Sequence, residues 1–130
     1  MKIETIEVVI KKAHADKYGH VNYKKYLDVF CIGQDDFAKK RGISFSEIEK
    51  LYGFRSVVRQ INIEYLEQVF PSEKVRIGTQ IERIGNTSFS YKQEILRAER
   101  VITRLSVTIV MIDKSGKPVS IPQDVRIKMC

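Results

Sequence analysis

Residues 14–28, HADKYGHVNYKKYLD, place two imidazoles, a carboxylate and a glycine within seven positions and then pass directly into an amphipathic run. His14 and His20 are the only histidines of the chain. A carboxylate in such company can serve as nucleophile or general base, with a histidine to orient it or move a proton. Imidazole and carboxylate are also ordinary zinc ligands. The metal reading fails on arrangement, because no fourth ligand lies nearby and the spacing matches no helix-borne zinc motif. Asp16 remains as the candidate reactive group, although an aspartate before a helix is also a common turn former. Gly19 allows the loop to tighten and a ligand to approach the backbone.

A loop of this kind needs rigid elements around it. Residues 3–11, IETIEVVIK, are β-branched and read as a first strand. From Tyr23 onward Tyr23, Tyr26, Leu27, Phe30, Phe37 and Ala38 recur at helical spacing, with Asn22 placed to cap the start. Lys39, Lys40 and Arg41 suit the last turn of that helix, and Gly42 its C-terminal cap. SFSEIEKLY (44–52) carries a capping-box pattern from Ser44 to Glu47 and reads as a short second helix. Beyond Gly53 the period changes to two. Residues 54–69 alternate with Val57, Arg59, Ile61, Ile63 and Tyr65 on one face. Residues 73–85 alternate through Val75, Ile77, Thr79 and Ile81, and 87–97 through Phe89, Tyr91, Gln93 and Ile95. Residues 101–113 and 117–127 complete the strands, separated by the turn Lys114-Ser115-Gly116-Lys117. Hairpin-linked strands imply an antiparallel sheet, and the one long helix must bury its stripe against it.

At 130 residues, 43% of them hydrophobic and 30% charged, the chain has the size and composition of one soluble domain spanning 1–130. The net charge of +7 is distributed along the chain, with lysine pairs at 11–12, 24–25 and 39–40, as on a solvated surface. No segment approaches the roughly 20 apolar residues of a membrane span. Glu4 and Glu7 break the amino-terminal apolar run that a secretory signal needs, so a cytoplasmic location is expected. Cys31 and Cys130 stand far apart and read as free thiols.

The pattern Asp16-x-x-Gly19-His20-Val21-Asn22-Tyr23-x-x-Tyr26-Leu27 does not stand alone. It is followed in order by Val57-Val58, Ile63-Glu64-Tyr65, Ile84-Gly85-x-Thr87-Ser88-Phe89 and Ile121-Pro122. Together these resemble, over nearly the whole chain, the hotdog-fold acyl-CoA thioesterases of the 4-hydroxybenzoyl-CoA thioesterase type. The resemblance implies an α+β hotdog fold, in which an antiparallel sheet of five or six strands wraps one long central helix. It also implies a homodimer or homotetramer paired edge to edge, with acyl-CoA bound between subunits. Residues 57–69 are the candidate edge strand, since a long uncovered edge is an aggregation hazard for a monomer.

Matched to the motif, Asp16 takes the place of the family's catalytic carboxylate and the Tyr23 backbone N–H that of its carbonyl-polarising donor. His20 either orients the substrate or Asp16, or bonds a loop carbonyl. Gly19, Asn22, Val58, Arg59, Thr87, Ser88 and Phe89 are the implied substrate-binding positions, the last three as pantetheine contacts; Asn22 is equally placed as a helix cap. Related sequences often carry aspartate where His14 stands, so no role carries over to that position. No cofactor or metal is implied, coenzyme A being part of the substrate, and neither nucleic acid nor membrane is an expected partner.

The residues suit the chemistry. Thioester hydrolysis needs an activated water or nucleophile and positive character at the carbonyl oxygen. The leaving thiol ionises near pH ~8.5 and needs little assistance. One carboxylate beside the free N–H groups of a helix start meets both needs. For the coenzyme phosphates, Arg59, Arg83, Lys92 and Arg97 are candidates. A second branch of the fold draws its carboxylate from the central helix; here Gln34, Asp35 and Asp36 occupy that place and read as a solvated face. The rival readings are a hotdog β-hydroxyacyl thioester dehydratase and a non-catalytic module binding acyl chains or nucleic acid. The dehydratase has a proline-flanked histidine ahead of the helix, whereas the first proline here is Pro71. The module lacks a recognition helix or aromatic platform.

Overall fold

The computed structural model describes residues 2–19 and 21–130. Five strands, β1 (Glu4–Val9), β2 (Arg55–Tyr65), β3 (Lys74–Ile84), β4 (Ser88–Arg97) and β5 (Arg100–Ile112), form one antiparallel sheet in the order β1-β3-β4-β5-β2. The long helix α1 (Tyr26–Arg41) lies across it and packs on β1, β3 and β4, while α2 (Phe45–Tyr52) leads into β2. This is the hotdog arrangement, with five strands.

Period-two patterning explains the face turned to the helix. Val75, Ile77, Thr79 and Ile81 of β3 and Phe89, Tyr91, Gln93 and Ile95 of β4 are all buried, as their alternation requires. Across the ladder they continue into Leu105, Val107, Ile109 and Met111 of β5, also buried. On α1 the buried residues are Tyr26, Val29, Phe30, Gly33, Phe37 and Ala38. Tyr23 and Leu27, expected on that stripe, are exposed. The chain enters the helix through a 3-10 turn at Tyr23–Lys25, which shifts the facing of its first residues.

Capping follows the sequence closely. The Asn22 side chain accepts from the Lys24 N–H, and the Ser44 hydroxyl from the Glu47 N–H. Gly42 ends α1 with φ +68°, a left-handed conformation that glycine adopts without strain.

Two expectations are corrected. The register of β2 slips between Val58 and Gln60, so Arg59 is a bulged extra residue. Ahead of the bulge, Val58 rather than Val57 pairs with the buried Ile109 and shares the face of Ile61 and Ile63. Residues 117–127 are not a strand: after one bridge between Ile112 and Pro118 the chain turns into α3 (Gln123–Met129). Ile121, Val125 and Met129 are buried at a spacing of four, the helical period, and Pro122 takes the cap position, where no N–H is required.

The helix approaches the sheet most closely at Gly33. A Cβ added there would lie 2.7 Å from Ile77 Cγ2, 2.7 Å from Thr79 Oγ1 and 2.8 Å from Gln93 Nε2. The buried Gln93 amide is fully engaged at this point. It donates to the Phe30 carbonyl and to Thr79 Oγ1, both at 2.9 Å, and accepts from Gln34 Nε2 at 2.9 Å. Gly33→Ala gains about 1 kcal/mol of helix propensity but forces the helix off a sheet whose contact atoms are held by this network. Overpacking of that kind costs about 1–3 kcal/mol or more, so a lower urea midpoint is expected; an unchanged or raised midpoint contradicts the close-approach argument.

Candidate active site

Asp16 lies between two short local structures. The 3-10 turn Lys12–His14 precedes it, and a single antiparallel bridge between Ala15 and Val21 pinches the loop shut around it. Its Oδ1 accepts from the Tyr18 N–H at 2.9 Å and its carbonyl from the Gly19 N–H at 3.1 Å. Gly19 has φ +84°, so the turn there requires the freedom that glycine supplies. The Asn22 N–H donates to the His14 carbonyl at 3.1 Å, joining the two ends of the loop at the entrance to the helix.

A cavity of about 370 Å³ opens at this point, lined by Asp16, Val21, Asn22, Tyr23, Tyr26, Tyr65, Leu66, Glu67 and Gln68. Asp16 and the first helical turn thus face one space. The opposite wall, Tyr65 to Gln68, comes from the end of β2, more than forty residues away, and nothing local to the Asp16 motif announces it. Tyr65 Oη donates to the Tyr23 carbonyl at 3.0 Å, and its ring meets Tyr26 edge-on at 4.9 Å. Tyr26 Oη accepts from the Val69 N–H at 3.0 Å, and the Val69 carbonyl accepts from the Val21 N–H at 3.0 Å. Burial raises both phenol pKa values, keeping the hydroxyls protonated at neutral pH.

The remaining positions gather elsewhere. Arg59, Ser88 and Phe89 line a second groove of about 250 Å³, with Gln60, Arg83, Gly85, Ser90 and Thr108. Phe89 itself is a core residue, 1% exposed, its ring parallel to Phe45 at 6.3 Å and edge-on to Tyr91 at 5.4 Å. Val58 is exposed on the free side of β2. Thr87 sits at the β3–β4 turn, where its carbonyl accepts from the Met111 N–H. Arg59 is six residues before Tyr65, or about 20 Å along an extended strand, so within one chain the two groups are not brought together.

Other side chains find structural work. His14 leaves Nδ1 buried without a hydrogen-bond partner. His20 falls outside the described residues. Among the described residues no three His, Cys, Asp or Glu side chains converge as metal ligands would. On α1, Gln34 turns inward to Gln93, Asp36 pairs with Lys40 at 2.9 Å and Asp35 is exposed. Arg97, a candidate for coenzyme phosphate, is instead engaged with carboxylates. It binds Glu73 through Nε and Nη2, lies 3.5 Å from Glu67, and donates to the Gln68 carbonyl at 2.7 Å. The Arg97 hydrogen bond holds the Glu73 carboxyl below the usual carboxylate range, outweighing its partial burial.

With this geometry in place, comparison with known proteins becomes informative. The model of a family described as the thioesterase-like superfamily matches residues 10–129. An uncharacterised protein, YsmA of Bacillus subtilis, is 27% identical over 116 residues, covering 88% of this chain and 76% of that protein. A DHNA-CoA thioesterase from Staphylococcus aureus superposes with a TM-score of 0.90 at 26% identity, over 98% of this chain and 89% of the other. Slr0204, a 1,4-dihydroxy-2-naphthoyl-CoA thioesterase from Synechocystis, superposes with a TM-score of 0.91 at 18% identity, over 99% and 96%; at that identity it speaks to the fold. No helix among the described residues is long and apolar enough to cross a membrane.

The Glu73–Arg97 pair has a pH signature. Because the folded-state pKa of Glu73 is lowered, its contribution to stability is present above the unfolded value of about 4.3 and is lost as pH falls through the folded value. Urea midpoints of the wild type and Glu73→Gln should therefore differ most near neutral pH and converge as pH falls below the unfolded value and through the lowered folded one; a gap that stays constant throughout acid titration contradicts this.

Proposed function

The chain belongs to the thioesterase-like superfamily, and from that premise we propose that it hydrolyses acyl-CoA thioesters, as in the 4-hydroxybenzoyl-CoA thioesterase type. The observation that carries this reading is the convergence of Asp16 and the first turn leading into α1 on one cavity. The thioester carbonyl oxygen sits toward the Tyr23 N–H, one of the first amides of a helical segment, which have no partner in the helix itself. The acyl group lies against the aliphatic Leu66 and the rings of Tyr23, Tyr26 and Tyr65, which are apolar in body with hydroxyl tips.

Two routes satisfy the arrangement, and both require Asp16 ionised. As general base, Asp16 takes a proton from water while the water oxygen attacks the carbonyl carbon; the C–S bond then breaks and the pair leaves with sulfur as a thiolate. As nucleophile, its carboxylate attacks directly, expelling the thiolate to give an anhydride that water opens. His20 follows Asp16 by four residues, and its role is to orient that carboxylate or the substrate, or to bond a loop carbonyl. Coenzyme A enters and leaves as substrate and product, and the reaction calls for no further cofactor.

Completion of the site rests on a second copy of the chain. β2 is an eleven-residue edge strand carrying exposed Val57, Val58, Ile61 and Tyr65. Antiparallel pairing of two such strands sets the Asp16 cavity of one protomer beside the Arg59–Ser88 groove of its partner. Gly19, Asn22, Val58, Arg59, Thr87 and Ser88 then border one continuous path for pantetheine and its phosphates, with Phe89 packed in the core behind Ser88.

Thiol release from a panel of acyl-CoAs should occur with the wild type, while Asp16→Asn loses kcat by at least about 10²-fold, typical of removing a general base, with KM changed only a few-fold. A variant retaining near wild-type kcat removes Asp16 from the mechanism. Sedimentation should give a dimer or a multiple of it; a stable, active monomer overturns the shared site.

A further inference from the structure

The segment between β2 and β3, residues 66–73, makes an unusual number of connections for a loop. Its first amides, Leu66 and Glu67, both donate to the Ile102 carbonyl at 3.0 Å. Val69 bonds in both directions, its N–H to Tyr26 Oη and its carbonyl to the Val21 N–H. Ser72 adopts φ +68°, a left-handed conformation that a residue with a side chain holds only when its surroundings enforce it, and its N–H donates to the Ile10 carbonyl at 2.7 Å. Glu73 accepts from the Phe70 N–H at 3.1 Å. Three of these residues, Leu66, Glu67 and Gln68, form the cavity wall facing Asp16.

One side chain spans the whole segment from outside it. The Arg97 guanidinium, carried at the end of β4, binds Glu73 at one end of the loop and the Gln68 carbonyl in its middle, and lies near Glu67, which Arg100 also reaches at 2.7 Å. A planar guanidinium with several fixed donors is suited to hold two carboxylates and a carbonyl at once; an ammonium is not. The chain of contact continues from Gln68 through Val69 to Val21, which lies beside the Ala15 bridge that closes the Asp16 loop, and to Tyr26, the first residue of α1.

We propose that Arg97 is a positioning residue: it fixes the 66–73 segment, and through Val69 the spacing between Asp16, the helix entrance and the facing wall. Arg97 touches neither substrate nor reacting atoms. Its kinetic consequence rests on the hydrolase reading given above; its mechanical consequence does not. A cavity wall displaced by about 1 Å can cost about 10²-fold in rate.

Two measurements on Arg97→Gln test this. Amide hydrogen exchange should show protection of the Val21 and Val69 N–H groups reduced about tenfold or more, while the β4–β5 ladder keeps its protection. Thiol release should show kcat reduced about 10- to 100-fold with KM within about threefold, since an alignment in the transition state is lost rather than a ground-state contact. Arg97→Lys, which keeps the charge but loses the fork, should recover only part of each. If Arg97→Gln does not fold, Glu73→Gln loosens the same clamp from its other partner and is read by the same two measurements. Unchanged protection at Val21 and Val69 in a folded variant overturns the proposal, and so does lost protection with unchanged kcat. If the wild type releases no thiol, the hydrolase reading falls, while the exchange result still decides whether Arg97 sets the loop.

Discussion

Much of this molecule depends on how closely one helix can lie on one sheet. At Gly33 the backbone of α1 comes so near β3 and β4 that no side chain fits between them. The Gln93 amide, buried with no solvent to satisfy it, bonds through the gap to the Phe30 carbonyl of the helix. A buried amide left without partners costs about 1–3 kcal/mol, so the network resists any separation of the layers. It also resists sliding, because Gln93 meets a particular carbonyl and Thr79 a particular amide. The helix is therefore fixed in height and along its axis, and so is the turn at its N-terminal end.

That fixed turn becomes useful because other segments are tied to it. Tyr23 and Tyr26 accept bonds from the end of β2 and the loop beyond, and Val21 donates to that loop, while Asn22 joins the helix entrance back to His14. The Asp16 loop is held by backbone bonds at its base. Its order is borrowed from the helix on one side and the 66–73 segment on the other. Two rigid elements meeting at a loop is a common way to hold reactive groups that no single element could present together.

The parts legible in the sequence were those whose signal is local. Alternation in β3 and β4 placed Thr79 and Gln93 on the helix-facing side even though both are polar, because their neighbours fixed the phase. Caps at Asn22 and Ser44 and the glycine at 42 marked helix ends by residue chemistry alone. Asp16 and the helix start were legible together because only six residues lie between Asp16 and Tyr23. The bulge at Arg59 was not, since one inserted residue changes phase without changing composition. The carboxy-terminal segment was misread because Val119, Ile121, Val125 and Ile127 have strand propensity; the helical period appears only when Met129 is counted with Ile121 and Val125. That Tyr65 and Leu66 face Asp16, and that Arg97 ties Glu73 to Gln68 instead of binding phosphate, follows from tertiary pairing, for which one sequence has no marker.

The two edges of the sheet are treated differently, and the difference bears on assembly. At β1 the edge is blunted by cations from α1: Lys40 donates to the Thr5 carbonyl at 3.0 Å, and Arg41 to the Lys2 carbonyl at 3.0 Å while pairing with Glu4. Lys74 adds an ion pair to Glu7 at 3.4 Å. Side-chain donors seated on strand carbonyls leave less for an incoming strand to bond, a familiar defence of exposed edges. β2 has no comparable guard among the described residues; its charged partners, Glu64 with Arg104, lie within the β2–β5 ladder. It is also nearly twice as long, eleven residues against six, and presents apolar side chains. The bulge at Arg59 is the one irregularity that interrupts this edge, and on both sides of it the apolar side chains stay exposed. The same strand ends at Tyr65, whose hydroxyl holds the turn into α1, so the exposed edge and one support of the candidate site lie on one strand.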